Sequence, residues 1–222
     1  MNVSLIPYIV LILMGAAWGL SIPLTKITVA TGYGQFGLIF WQFVIAVIVL
    51  GFILVVRRKR PIFERKTIFL FIVLAVLGTI FPNSASYVAT YYLPASFIAI
   101  LIATVPMFSF PMAMLMGLEK KDFRRISGLF IGLLGVVILT APEASLPDRH
   151  LLIFIPLALL APFFYAIEGN YVDKYGTAGQ DPIQTFTGAS ILGTFMILPV
   201  TISTGQWIDP FQPWPIENYT HV

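Results

Sequence analysis

The sequence predicts an all-α integral membrane protein with about seven transmembrane helices. Of its 222 residues, 58% are hydrophobic and only 10% are charged, and the mean hydropathy of +0.91 is well above that of a soluble domain. The apolar residues form continuous runs without the alternation of a membrane β-barrel, and an open sheet would leave backbone groups unpaired in lipid. Helices are therefore the expected spanning elements.

Seven apolar runs are long enough to cross a bilayer. A helix needs roughly 20 apolar residues to span the hydrocarbon core, and this length divides the chain into spans at 5–25, 36–56, 67–91, 95–118, 126–141, 151–172 and 183–203. The fifth span is the shortest, and arginines at its start can reach the headgroups and so extend it. The third and fourth spans are joined by a very short connection and must form an antiparallel hairpin.

The basic residues predict the orientation of these spans. Eleven of the 13 Lys and Arg residues lie in three loops, 57–66, 120–125 and the loop containing Lys174, and all three fall on one side when the spans alternate across the membrane. Only Lys26 and Arg149 fall on the other side. Cytoplasmic loops are enriched in Lys and Arg, so the amino terminus is predicted to be cytoplasmic, in a cell (inner) membrane.

Composition and motifs exclude several other classes. The net charge of +3 arises from juxtamembrane clusters, which indicate topology and contact with the lipid bilayer and do not indicate nucleic-acid binding. The string at 32–37 matches G-x-G-x-x-G but joins two spans and does not follow a strand, so it is not a dinucleotide site. There is no cysteine, and the only histidines, His150 and His221, lie in outer loops. No cofactor, metal or catalytic residue is predicted.

Polar residues at membrane depth are the candidates for a substrate site. Glu168, followed by Asn170, lies a turn or more inside the sixth span, and an ionisable group at this depth is costly unless it faces protein or an aqueous cavity. Glu168 is thus a candidate for binding substrate or coupling transport to protons. The alternatives are that Glu168 lies near the headgroups or pairs with Lys174.

A second polar group follows Pro82 in the third span. Asn83 and Tyr87, with two serines between them, could contact a substrate in a central cavity or form hydrogen bonds between helices. Trp18 in the first span and Tyr165 in the sixth offer aromatic cavity walls, although packing is the simpler role for both. The six substrate-binding candidates are therefore Trp18, Asn83, Tyr87, Tyr165, Glu168 and Asn170.

Three stretches together resemble the EamA family of the drug/metabolite transporter superfamily. Residues 15–26, with Trp18, Pro23 and Lys26, are similar to that family's first helix, and residues 85–106 are similar to its turn between the third and fourth helices. Residues 128–139, which carry glycine at 128, 132 and 135, resemble its glycine-rich fifth helix. The resemblance implies small-molecule permeases with ten helices in two inverted five-helix repeats.

The resemblance also implies an organisation and a function. Residues 1–141 would form the first five-helix repeat, 151–203 two helices of an incomplete second repeat that lacks the last three of ten, and 204–222 an outer tail. The function implied is export of a small organic metabolite by alternating access. Proton coupling through Glu168 is a separate hypothesis, which rests on the depth of this carboxylate in the sixth span. The alternatives are a truncated non-transporting fragment or a protein that depends on assembly, including with a second copy of itself, and more distantly a membrane-embedded enzyme.

Overall fold

The computed structural model describes residues 5–139 and 149–212. The secondary structure in these residues is helical throughout. The elements are α1 (Ile6–Ala30), α2 (Gln35–Val56), α3 (Arg65–Ala75), a π-helical segment (Val76–Ile80), α4 (Phe81–Tyr92), α5 (Ala95–Ile102), α6 (Val105–Leu115), α7 (Phe123–Leu139), a 3₁₀ segment (Arg149–Phe154), α8 (Ile155–Tyr175) and α9 (Pro182–Ser203).

The all-α membrane fold predicted from the sequence is confirmed. Six continuous helical stretches in the described residues are long and apolar enough to cross a membrane: α1, α2, α3 through α4, α5 through α6, the stretch ending with α8, and α9. The predicted fifth span corresponds to α7, which has 17 described residues; the predicted end of that span, at Ala141, lies outside the described residues. The first helix is longer than predicted and ends at Ala30 instead of residue 25.

The third span, predicted at 67–91, contains the π-helical segment. Within this segment the turns are wider, and the N–H of Phe81 donates to the carbonyl oxygen of Val76, five residues earlier. Pro82 accounts for this local widening, because proline has no N–H to donate and its ring would clash with the carbonyl of Gly78 in a regular α-helix. The span therefore has two helical halves, α3 and α4.

The fourth span is also divided, for a related reason. Helix α5 ends at Ile102 and α6 begins at Val105. Pro106 at the start of α6 cannot donate to the carbonyl of Ile102, so the hydrogen-bond ladder is broken there. The Thr104 hydroxyl donates instead to the carbonyl oxygen of Leu101 at 2.6 Å. The break at residues 103–104 lies inside the span predicted at 95–118.

One group of helices packs around α9, which lies against α2 and α3. Two glycines of α9 make the close approach possible: a Cβ at Gly193 would lie 2.4 Å from the Phe43 ring, and a Cβ at Gly188 would lie 2.4 Å from the Phe71 ring. Close approach at small residues is how helices associate in lipid, which offers no hydrophobic driving force. Helices α2, α3 and α9 are called the α9 group below.

The second group packs around α8, which contacts α4, α5 and α6. Its core contains Leu93, Phe97, Ile98 and Leu101 from the α4–α5 hairpin, together with Ala158 from α8. Helix α1 lies against α4 and α5, and α7 lies at the edge against α5 and α6. These helices are called the α8 group. Since α3 belongs to one group and α4 to the other, the π-helical segment joins the two.

The three basic loops meet at one end of the bundle, called the basic end. Lys59 Nζ lies 2.8 Å from Asp181 Oδ2, Gln184 Nε2 donates to the carbonyl oxygen of Arg60 at 2.7 Å, and Lys174 Nζ donates to the carbonyl oxygen of Met116 at 3.0 Å. At the opposite end, the backbone N–H of Phe36 donates to Gln206 Oε1 at 2.9 Å. The loops thus alternate between the ends as the predicted spans require.

Candidate substrate-binding cavity

A cavity of about 340 Å³ lies between α1, α2, α4, α5 and α8. Four of the six residues predicted from the sequence line it, namely Trp18, Asn83, Tyr87 and Tyr165. The remaining lining residues are Ser21, Ile22, Thr25, Gln42, Ser86, Thr90, Ile98 and Ile102. The volume is within the range of small-molecule pockets, and a few polar groups among apolar and aromatic walls are typical of such sites.

The polar side chains of the cavity form a continuous hydrogen-bond chain. The Tyr165 hydroxyl donates to Asn83 Oδ1 at 3.1 Å, and Asn83 Nδ2 donates to Gln42 Oε1 at 2.8 Å. The Tyr87 hydroxyl donates to the same Gln42 oxygen at 3.2 Å. Helices α2, α4 and α8 are therefore joined through side chains, across the boundary between the α9 group and the α8 group.

Gln42 joins Asn83 and Tyr87 in this chain and lines the cavity. Its Oε1 accepts two hydrogen bonds, while its Nε2 has no acceptor among the described residues. A glutamine amide nitrogen carries two donors, and the Gln42 side chain is exposed to the cavity. The cavity thus presents a positioned N–H donor to any carbonyl, hydroxyl or carboxylate oxygen that enters it.

The Thr90 hydroxyl is a second polar group of the cavity, and it forms no hydrogen bond with a described residue. The residue is 1% exposed and lines the cavity, and its hydroxyl has no hydrogen-bond partner among the described residues. Its carbonyl oxygen accepts from Lys26 Nζ at 2.9 Å, which joins α1 to the end of α4. Buried hydroxyls are usually satisfied, so the Thr90 hydroxyl is available to a polar group inside the cavity.

Tyr87 separates the cavity from a smaller one nearer the end opposite the basic loops. That outer cavity has a volume of about 240 Å³ and is lined by Tyr33, Tyr87, Tyr91 and Tyr92, together with residues of the α1–α2 connection. Tyr87 lines both cavities. A change of its rotamer would therefore alter the opening between them.

Glu168 does not line this cavity. It lies three residues after Tyr165 on α8, about one turn closer to the basic end. Its carboxyl group lies against the π-helical segment, where a Cβ at Gly78 would be 3.4 Å from Glu168 Cδ. Among the described residues it has no salt bridge, and the predicted alternative partner, Lys174, binds the carbonyl of Met116.

Asn170 lies away from the cavity, between α8 and α6. It is 2% exposed, and its Nδ2 donates to the carbonyl oxygen of Ala166 at 2.8 Å and to the carbonyl oxygen and hydroxyl of Ser109 at 3.0 and 3.1 Å. These are contacts of helix packing. The predicted role of Asn170 in substrate binding stays a prediction.

The sequence reasoning did not identify Gln42 or Thr90. A signal for Gln42 was present, since it is an isolated amide inside the apolar run of α2 and the cost of burying a polar group applies to it as to Asn83. Thr90 gave no such signal, because threonine is common in membrane helices. Within residues 5–139 and 149–212, no cluster of three or more His, Asp or Glu residues could hold a metal ion.

Comparison with known proteins gives a match for the first part of the chain. The model of the EamA-like transporter family matches residues 5–141, more than half of the 222 residues. No curated protein and no solved structure matches the chain. The matched region contains the three stretches that carried the resemblance and supplies Trp18, Gln42, Asn83, Tyr87 and Thr90 to the cavity. The chain therefore belongs to the EamA-like transporter family and is a multi-pass membrane transporter of the drug/metabolite type.

Proposed function

We propose that the chain exports a small organic metabolite by alternating access, and that the central cavity is its substrate site. The observation that carries this proposal is the cavity of about 340 Å³ in which four predicted residues meet Gln42 and Thr90. An export direction follows the resemblance to the family. The predicted orientation in an inner membrane, with a cytoplasmic amino terminus, rests on the positive-inside rule.

The groups that line the cavity indicate the chemistry of the substrate. Gln42 offers an amide donor and Thr90 a free hydroxyl, and Trp18 and Tyr165 offer aromatic surface. Among the described residues that line the cavity there is no Lys, Arg, Asp or Glu. A compact molecule with an oxygen acceptor and an apolar part fits these groups, whereas a strongly charged molecule would lose its hydration without gaining an ion-pair partner.

The movement proposed for alternating access is rocking about the substrate site. The resemblance implies that the moving units are two repeats, 1–141 and a second that begins at 151–203. The helix packing divides the chain differently, because the α9 group and the α8 group each combine helices from both repeats. The π-helical segment joins these two groups, and the Gln42–Asn83 hydrogen bond bridges them. Widened helical turns of this kind are frequent at functional sites and offer a hinge within a span.

Glu168 is proposed as the group that couples transport to protons. Its carboxyl lies beside the proposed hinge at Gly78 and about one turn from Tyr165. A change in its charge would therefore alter the packing of the hinge and of Tyr165. Glu168→Gln is expected to insert normally and to lose the dependence of transport on a proton gradient. Proton-dependent transport by the variant equal to that of the wild type would refute this role.

Metabolite export is tested by mass spectrometry of the growth medium. Cells that produce the wild-type chain are expected to accumulate at least one small metabolite outside the cell, and cells that produce Asn83→Leu are not, because this substitution breaks the hydrogen-bond chain at its centre. Thr194→Val is a control in α9, since Thr194 does not line the cavity and its hydroxyl bonds within its own helix. Identical medium profiles for wild type and Asn83→Leu, at equal membrane levels, would contradict the proposal.

A further inference from the structure

A groove of about 890 Å³ runs along the membrane face between α3 and α8 at the basic end. It is separate from the substrate cavity and shares no lining residue with it. Arg65 and Lys66 lie at its mouth, in the first turn of α3. Ile68, Phe69 and Ile72 follow them along the helix. We call this feature the α3–α8 groove.

The cations at the mouth of the groove have no acidic partner in the part of the chain that the structure describes. Neither Arg65 nor Lys66 forms a salt bridge with a described residue. This distinguishes them from Lys59, which is paired with Asp181. The neighbouring Glu64 supplies one negative charge against these two positive charges. Glu64 also caps α3 in a capping box with Thr67, so the attraction for an anion comes from the Arg65 and Lys66 side chains and not from the end of the helix.

Below the cations, the walls of the groove are apolar and aromatic. Phe69 is 57% exposed and lies with its ring centroid 6.3 Å from that of Tyr171 on α8. The Tyr171 ring lies 4.8 Å from that of Tyr175, which is 62% exposed. The groove therefore has positive charge at the membrane surface and apolar walls at greater depth. This arrangement matches an amphiphile with an anionic headgroup that lies parallel to the helices.

We propose that the α3–α8 groove binds an anionic phospholipid. The phosphate and headgroup lie at Arg65 and Lys66, and an acyl chain follows Ile68, Phe69 and Ile72. A zwitterionic lipid carries no net charge to match the two cations, and a soluble phosphate compound cannot use the apolar wall. Lipid recognition by basic residues at a membrane surface follows from ordinary electrostatics. This site does not depend on the substrate cavity, and either proposal can fail while the other holds.

The experiment measures lipid retention by the purified full chain in detergent, using native mass spectrometry with palmitoyl-oleoyl phosphatidylglycerol or the matching phosphatidylcholine. The wild type is expected to retain phosphatidylglycerol preferentially. The double variant Arg65→Gln/Lys66→Gln should weaken this retention about thirtyfold, since each Lys or Arg near an anionic lipid is worth roughly a factor of five. The double variant Lys120→Gln/Lys121→Gln removes the same charge from another basic loop and should retain the lipid.

A second variant separates lipid binding from simple charge attraction. Phe69→Ser keeps both cations but removes the exposed aromatic wall, and it is expected to weaken phosphatidylglycerol retention about tenfold, because the acyl chain no longer buries the Phe69 ring. If the double variant at Arg65 and Lys66 does not fold, Phe69→Ser still tests whether the groove binds the lipid. Any of four results would overturn the proposal. These are equal losses in the two charge variants, equal retention of phosphatidylcholine by the wild type, displacement of the lipid by an equal concentration of glycerol 3-phosphate, and unchanged retention in Phe69→Ser.

Discussion

Replacing Thr90 by valine separates a substrate contact from a structural one. The two side chains have nearly the same shape, and the Thr90 hydroxyl is buried without a partner among the described residues. A buried hydroxyl without a hydrogen bond costs about 1–3 kcal/mol. Thr90→Val should therefore leave the thermal stability of the protein unchanged or raise it. If the hydroxyl binds substrate, the loss of one neutral hydrogen bond of about 1 kcal/mol should weaken apparent affinity roughly fivefold.

The assay compares thermal unfolding in detergent with transport by reconstituted vesicles, using the metabolite identified from the growth medium. Thr194→Val is the matched control, because the Thr194 hydroxyl donates to the carbonyl oxygen of Ser190 at 2.8 Å. The control should lose up to about 1 kcal/mol of stability and keep normal affinity. A destabilised Thr90→Val with unchanged affinity would show that the hydroxyl has a structural partner and would refute the reasoning.

Two further predictions concern the packing of α9 and the basic end. Gly193→Ala places a methyl group 2.4 Å from the Phe43 ring, so it should lower stability in detergent by about 1–3 kcal/mol. Gly19→Ala is the control and should leave stability unchanged, because nothing lies within 4 Å of a Cβ at that position. Equal losses of stability in the two variants would contradict the packing argument. The hydrogen bond from Lys59 lowers the pKa of Asp181 from its ordinary value of 3.8, so the stabilisation is present at neutral pH and is lost as the pH falls through the lowered pKa. Asp181→Asn should therefore melt slightly below wild type at pH 7 and equal it at pH values well below 3.8; a constant difference would exclude the linkage.

Hydrophobicity and charge were sufficient to predict the spans, because both reflect the large free-energy cost of placing polar groups in hydrocarbon. They could not predict where a span is interrupted. Pro82 and Pro106 were visible in the sequence, but proline in a membrane helix can produce a kink, a π-helical turn or a complete break. Which of these occurs depends on the neighbours, such as Glu168 packed against Gly78.

The cost of placing polar groups in hydrocarbon also explains why only some of the predicted site residues line the cavity. Asn83 and Tyr87 were identified because polar groups at membrane depth need partners, and Tyr165 was identified as an aromatic cavity wall; the structure joins all three through Gln42. Asn170 satisfied the same criterion, yet its partners are the backbone and hydroxyl of α6. The criterion detects the need for a hydrogen bond but does not distinguish a partner in a neighbouring helix from one in a cavity.

The origin of the cavity walls bears on how substrate choice is determined. The family match covers residues 5–141, whereas Tyr165 comes from α8, beyond that region. The Tyr165 hydroxyl donates to Asn83, and without it the Asn83 oxygen would lack the donor it has in this structure. The matched region supplies Gln42, Thr90 and Asn83, while α8 supplies the wall that closes the cavity on the side of Glu168. Two chains with the same first five spans and different residues at the position of Tyr165 would therefore be expected to differ in substrate, even though both belong to one family.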